Sequence, residues 1–180
     1  MKFKYILILI SLFFCNISFS QILTDSNLPI VIINTDGGVI IPDDPRVPAS
    51  MKIIFRGEGM RNRITDQDSS LFLNYNGRIN IEKRGSSSQT LPKKQYGFTT
   101  PKADSTSNQN VSLLGLPAEN DWILNGLGFD PSLIRDYINY NLSRRIGEYA
   151  SRTVYCEVVI NGSYNGLYIL QENMKQGSDR

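Results

Sequence analysis

Short apolar runs separated by polar, glycine-rich segments predict a chain built mainly of β-strands. The runs Leu28–Asn34 and Met51–Arg56 are rich in β-branched residues, as buried strands are. Further along, Ile79 and Ile81 alternate with polar residues, which predicts a strand with one buried and one solvated face. The preceding Asn76-Gly77 pair predicts a tight hairpin turn, because both residues tolerate a positive φ.

The second half of the chain adds more strands to this pattern. The segment "KKQYGF" predicts a return strand with Tyr96 and Phe98 inward, and the same alternation places Lys94 on that inward face. A short apolar run around Trp122 predicts another strand. The last two strands flank the segment 161–166, which predicts a β-hairpin.

One segment has the pattern of a helix. Asp130 is a suitable N-cap and Pro131 a suitable first helical residue. Apolar residues follow at three- and four-residue spacing and form a stripe that we expect to pack against the sheet. These residues are Ile134, Tyr137, Ile138, Leu142, Ile146 and Tyr149. The predicted fold class is therefore α+β, an antiparallel sheet with one long packed helix.

The first twenty residues have the pattern of a secretory signal peptide. Lys2 and Lys4 precede an apolar run, and small residues at 18 and 20 predict cleavage before Gln21. An alternative is lipid attachment at Cys15, which the bulky residues before it disfavour. The sequence thus predicts a secreted or cell-surface protein whose residues 21–180 form one domain, with no transmembrane segment after signal cleavage.

The amino-acid composition excludes several classes of function. The 180 residues include no histidine, which excludes a serine–histidine or cysteine–histidine hydrolase and a histidine-ligated zinc site within the chain. Loss of the leader lysines leaves 17 basic and 17 acidic residues, so no basic field for nucleic acid is predicted. The mature chain keeps Cys156 alone, so no internal disulfide is available to it.

The stretch "EKRGSSSQTLPKKQYGF" carries the candidate chemistry. A glycine followed by small hydroxyl residues can let backbone N–H groups converge on an anion, and a later lysine can neutralise the anion's charge. The Walker and G-x-G-x-x-G spacings are absent. By itself, therefore, Arg84–Ser88 is more typical of a plain polar hairpin tip. The inward-facing Lys94 needs a partner, for which a phosphate is one candidate, whereas Lys93 is more typical of a solvated strand position.

Five blocks occur in order along the chain: "SNLPIVIIN", "YNGRINIEKRGSSSQTLPKKQYGF", "SLLGLPAENDWIL", "DPSLIRDYINYNLSRRIGEYASRTVYCEV" and "INGSYNGLYILQENM". Together they resemble the amino-terminal portion of the spore-coat CotH kinase family, a group of secreted or surface-exposed atypical protein kinases. The resemblance covers about Leu28 to Met174, most of the mature chain.

The resemblance implies a small-lobe-like fold that grips ATP, with Mg²⁺ as the metal. It implies nucleotide binding by Arg84, Gly85, Ser86, Ser87, Ser88, Lys94 and, as the less favoured lysine, Lys93. It also implies a hinge-like segment at 171–174, including Glu172, whose backbone would meet the adenine ring. Glu148, Asp136 and Glu119 each remain possible partners for the lysine.

The implied activity is phosphoryl transfer from ATP to protein hydroxyls on an unidentified protein substrate. In this family the aspartates that hold Mg²⁺ and orient the acceptor lie downstream of the hinge-like strand. We therefore expect the catalytic residues beyond Arg180, no metal ligands or catalytic residues within these 180 residues, and a fragment that is inactive alone. The alternative is a non-catalytic surface module for coat assembly or adhesion.

Overall fold

The computed structural model describes residues 22–104 and 107–174, and the predicted signal peptide lies outside these ranges. Nine strands and one α-helix occur in the described part of the chain. The strands are β1 (Asp25–Ser26), β2 (Ile30–Thr35), β3 (Val47–Ile54), β4 (Asn62–Arg63), β5 (Leu73–Arg84), β6 (Gln95–Thr99), β7 (Asp121–Asn125), β8 (Thr153–Ile160) and β9 (Ser163–Glu172). The helix α1 spans Arg135–Arg145.

Seven of the strands form a closed barrel in the order β2-β3-β5-β6-β7-β9-β8. Neighbouring strands in this order are antiparallel, and the barrel closes where β2 pairs in parallel with β8, from Ile30 opposite Glu157 to Ile33 opposite Ile160. The short strands β1 and β4 form a separate two-stranded ribbon.

The closed barrel corrects the predicted fold class. The α+β prediction, with an antiparallel sheet and a packed helix resembling a kinase small lobe, is wrong, because strands predominate over the single α-helix in the described residues and seven of them close into a barrel. Alternating residues point into the barrel and form one core. Its largest fully buried side chains include Trp122, Tyr168, Phe98, Met51, Ile79, Ile81 and Leu124.

The predicted turn at Asn76-Gly77 is also wrong. β5 runs without interruption through this pair, and Gly77 lies opposite Met51 of β3. A Cβ atom at Gly77 would lie 2.7 Å from the Tyr75 hydroxyl, which donates to the Arg78 carbonyl at 2.9 Å. The glycine therefore makes room for a neighbouring tyrosine rather than for a turn. The predicted hairpin after β8 is confirmed, with positive φ at Asn161 and Gly162.

The helix starts later than the sequence pattern predicts and packs differently. Leu133 has a φ of +57°, so the chain turns once before α1 begins at Arg135. One edge of the helix meets the barrel, where the Tyr137 and Tyr155 ring centroids lie 5.0 Å apart. The predicted packing of the whole apolar stripe is wrong, because most of it faces solvent. Its exposed members are Ile134, Ile138, Leu142, Ile146 and Tyr149.

The difference in burial between the barrel core and the apolar stripe of α1 can be tested by replacing one leucine in each with alanine. Leu124→Ala removes a fully buried side chain and should lower the free energy of unfolding by about 2–5 kcal/mol. Leu142→Ala, at a side chain 55% exposed, should cost less than about 1 kcal/mol. Urea denaturation of both variants tests this, and equal losses would contradict the exposed position of the stripe.

Candidate functional site

The candidate site is the connection between β5 and β6, residues 85–94, here called the serine loop. Gly85 leaves the strand with a φ of +99°, and a Cβ atom there would lie 2.0 Å from the Ser88 Oγ. Ser88 is buried, whereas Arg84, Ser86 and Ser87 are exposed. Glycine is therefore required for the turn, and the turn presents two serines to solvent.

Contacts within the serine loop hold its shape. A 3₁₀ turn spans Ser87–Thr90, and the Thr90 hydroxyl donates to the Ser87 carbonyl at 2.7 Å. The Gln89 side-chain amide donates to the Gly85 carbonyl at 2.6 Å and also contacts Asp43. The loop is thus ordered largely by its own hydrogen bonds.

Lys94 is the last residue of the loop, directly before β6 begins at Gln95, and it is half-buried. Its ammonium group donates to the backbone carbonyls of Gln89 and Leu91, at 2.7 Å each. The partner that a half-buried lysine needs is therefore supplied by the loop itself.

Lys93 reaches in the other direction, towards β9. Its ammonium group donates to the Leu167 carbonyl of β9 and lies 4.6 Å from the centroid of the Tyr168 ring. Burial lowers the pKa of Lys93, and the nearby Glu157 carboxylate partly opposes that shift. Lys93 thus links the serine loop to the last hairpin of the barrel.

The segment after β7, residues 126–128, packs closely against the serine loop. A Cβ atom at Gly126 would lie 2.8 Å from the Lys94 carbonyl, and one at Gly128 would lie 2.7 Å from Leu91 Cδ1. The Tyr168 hydroxyl donates to the same Lys94 carbonyl at 2.9 Å. Sequence reasoning missed these two glycines, although the spacing "NGLG" is a visible signal of close backbone approach.

Asp130 ends this segment and orders the start of α1. Its carboxylate accepts bonds from the Ser132 hydroxyl at 2.5 Å and from the Ile134 and Arg135 amides at 2.9 Å each. The Ser132 side chain first, and the backbone N–H groups with it, lower the pKa of Asp130 to about 2. Asp130 thus caps the turn that leads into the helix, although it lies five residues before the first helical position.

Glu172 lies at the opposite end of the barrel strands from the serine loop. Glu172 is opposite Trp122 on β7, whereas the loop adjoins the other end of that strand, near Asn125. Three residues of strand separate the two positions, a distance of about 10 Å. Glu172 is buried, and its Oε1 accepts from the Arg152 amide at 3.2 Å and the Tyr149 hydroxyl at 3.3 Å.

The hinge-like segment is also bonded to the barrel. The Asn173 amide donates to the Asp121 carbonyl at 3.1 Å, and the Asn173 side chain donates to the Asp121 carboxylate at 2.9 Å. The predicted adenine-binding groups at 171–174 are thus partly used within the fold, and the structure does not bring them to the serine loop.

The three candidate acids have other surroundings. Asp136 accepts from the Asn125 side chain at 2.8 Å, and Glu119 accepts from the Asn120 amide at 2.7 Å. Glu148 is exposed just after α1. In the described residues, no group of three or more histidine, cysteine, aspartate or glutamate side chains could hold a metal ion.

Lys83, which sequence reasoning did not select, lies at the base of the loop opposite Tyr96. Its position continues the inward alternation of Ile79 and Ile81, so the signal was present in the sequence. Lys83 lines a cavity of about 200 Å³ at this end of the barrel. Three lysines therefore surround the loop, and each has a different environment.

The family model described as CotH kinase protein matches residues 81–180, more than half of the chain. The chain belongs to the CotH kinase protein family. The match begins in β5 and covers the serine loop, its lysines and all later strands of this family member. None of the curated proteins compared with the chain matches it. In the described ranges, no helix is long and apolar enough to cross a membrane.

Gly85→Ala should destabilise the protein more than Gly162→Ala. Both glycines have a positive φ, which costs alanine about 1 kcal/mol, but only the Gly85 methyl group would collide with Ser88. Apart from Gly162 itself and its two chain neighbours, no residue has a heavy atom within 4 Å of the position that a methyl group at Gly162 would take. Thermal unfolding of the two variants separates the backbone strain, which both share, from the collision at Gly85. An equal loss of stability in both variants would show that the serine loop can shift to accommodate the methyl group and would contradict the prediction.

Asp130 should contribute to stability at neutral pH and lose that contribution in acid. A folded-state pKa of about 2, against an ordinary value of 3.8, means that the contribution is complete above the ordinary pKa and is lost as the pH falls through about 2. In urea denaturation, Asp130→Asn should therefore flatten the dependence of stability on pH between these two values. Asp68→Asn, at a side chain 82% exposed, is the matched control, and an equal change in both variants would contradict the role of Asp130.

Proposed function

We propose that this chain is the nucleotide-phosphate-binding part of an exported CotH-family kinase that transfers a phosphoryl group from ATP to protein hydroxyls. The observation that carries the proposal is the family match over residues 81–180, which includes the whole serine loop. The loop geometry supports it, because two exposed serines follow a glycine in the left-handed region.

Phosphoryl transfer depends mainly on positioning and on electrostatic stabilisation of the phosphates. Arg84 and the hydroxyl groups of Ser86 and Ser87 are available at the loop surface for this purpose. Gly85 and Ser88 keep the turn in shape. Lys93 and Lys94 bring positive charge to the same loop, although their ammonium groups also bond to backbone carbonyls.

Among the residues that the structure describes, no group of three or more histidine, cysteine, aspartate or glutamate side chains could hold a metal ion, and no step of the reaction is assigned to a metal on them. Phosphoryl transfer also needs a carboxylate that orients the acceptor hydroxyl. In our proposal the metal-binding and acceptor-orienting carboxylates belong to polypeptide that follows residue 180. Glu172 contributes to nucleotide binding only if the adenine ring reaches the far end of the barrel strands.

Nucleotide binding can be tested by thermal unfolding of the full-length gene product. A ligand at 100 times its dissociation constant should raise the free energy of unfolding by about 2.7 kcal/mol. ATP with Mg²⁺ should give this stabilisation, and Arg84→Ala should reduce it because one phosphate-facing charge is lost. Lys102→Ala, an exposed lysine after β6, is the matched control. If ATP with Mg²⁺ does not stabilise the unsubstituted full-length protein, the proposal is refuted.

Export is the second part of the proposal, and it rests on the pattern of residues 1–20. Expression in a secreting host should release a mature protein that begins at Gln21, which amino-terminal sequencing of the secreted fraction would show. Recovery of the intact leader inside the cell would contradict export, and cleavage before Cys15 would favour the lipid-anchored alternative.

A further inference from the structure

Lys83 has an unusual place in the barrel. It is the last inward-facing position of β5 before the serine loop, opposite Tyr96 of β6. Its backbone N–H donates to the Pro42 carbonyl at 2.6 Å, which holds the segment before β3 against this strand end. Lys83 continues the inward alternation of Ile79 and Ile81, and its side chain lines the cavity at this end of the barrel.

The cavity beside Lys83 crosses the end of the barrel and has a volume of about 200 Å³. Since one water occupies about 30 Å³ of liquid, there is space for a group much larger than a single water. Its walls come from the segment before β3, from the two strands at the loop and from the β8–β9 hairpin. The lining residues are Ile40, Ile41, Lys83, Tyr96, Ile160, Asn161, Ser163 and Asn165.

The chemistry of the lining favours an anion. Among these lining residues there is one cation and no acid. Ile41 and Ile160 are buried apolar walls on one side of the cavity, whereas Ile40 is 85% exposed, so the cavity is open to a ligand from solvent. Burial raises the pKa of Tyr96, so its hydroxyl group stays protonated and can donate a hydrogen bond.

The ammonium group of Lys83 also differs from those of the other two lysines. Lys94 bonds to two carbonyls of its own loop, and Lys93 bonds to one carbonyl of β9. Lys83 makes no side-chain hydrogen bond or ion pair with any other residue that the structure describes. Of the three, it can therefore bind a ligand without giving up a contact that holds the fold.

We propose that the barrel-end cavity binds a phosphate group and that Lys83, rather than Lys94, is the lysine that contacts it. The inference rests on the proposed function, because it assigns the phosphate to the nucleotide of that kinase. It adds a binding residue at the base of the serine loop, just before Arg84 ends β5. Tyr96 and Ser163 would supply hydroxyl groups to the same ligand.

The test measures binding of ATP and of inorganic pyrophosphate to the full-length protein by calorimetry. Lys83→Met should weaken both by about 10- to 100-fold, the range expected for loss of one charge-assisted hydrogen bond. Lys83→Arg should keep most of the affinity, because the charge is retained. Lys102→Met removes an equal charge at an exposed site and should bind as the parent does.

Measurements of thermal stability distinguish loss of binding from loss of folding in the Lys83→Met variant. Lys83→Met should unfold at nearly the temperature of the parent protein, since no described contact of the ammonium group is lost. Tyr96→Phe removes only a hydroxyl group and gives a second, independent variant that should also bind more weakly. Unchanged affinity in both variants would overturn the inference even if the Lys83 variant folded poorly, because Tyr96→Phe keeps the packed ring.

The outcomes separate this inference from the proposed function. If the parent protein binds ATP and Lys83→Met binds it equally well, the cavity assignment is wrong and the nucleotide proposal stands. If the parent binds pyrophosphate through Lys83 but does not bind ATP, the anion site is supported and the nucleotide proposal fails. If the parent binds neither probe, both are refuted.

Discussion

The parallel pairing of β2 with β8 is the constraint on which the rest of the structure depends. It joins the first long strand to the last hairpin and so closes the sheet into a barrel. Asn161 reinforces the junction, because its N–H donates to the Ile33 carbonyl and its side chain accepts from the Thr35 amide, both at 2.9 Å. Without this closure the β8–β9 hairpin would not face β5 and β6, and the cavity beside Lys83 would have no far wall.

Closure also explains why three lysines near one loop have different roles. A charged group at a barrel end must be solvated, bonded to protein or paired with a ligand. Lys94 meets this requirement with two carbonyls of its own loop. Lys93 meets it with the Leu167 carbonyl of β9 and thereby ties the serine loop to the barrel. Lys83 lines the cavity without such a partner among the described residues, and it is therefore the lysine most suited to a phosphate.

Local patterns predicted several strands and the last hairpin because alternation and turn chemistry depend on near neighbours. The same reasoning failed at Asn76-Gly77, where a tyrosine two residues away uses the space that the glycine leaves. It also failed for the apolar stripe of α1. Periodicity shows that Ile138 and Leu142 share a helix face, but it does not show what that face contacts, and here the face is exposed.

The sequence by itself determined the family and the serine loop, since each follows from residue order. The two-residue period of β5 also carried the signal for an inward Lys83, although that residue was selected only from the structure. Only the tertiary structure decided that the sheet closes, that Lys94 bonds to its own loop and that Glu172 lies at the far end of the strands. The physical reason is that strand pairing joins residues distant in the chain. Register, rather than local pattern, then sets which side chains meet.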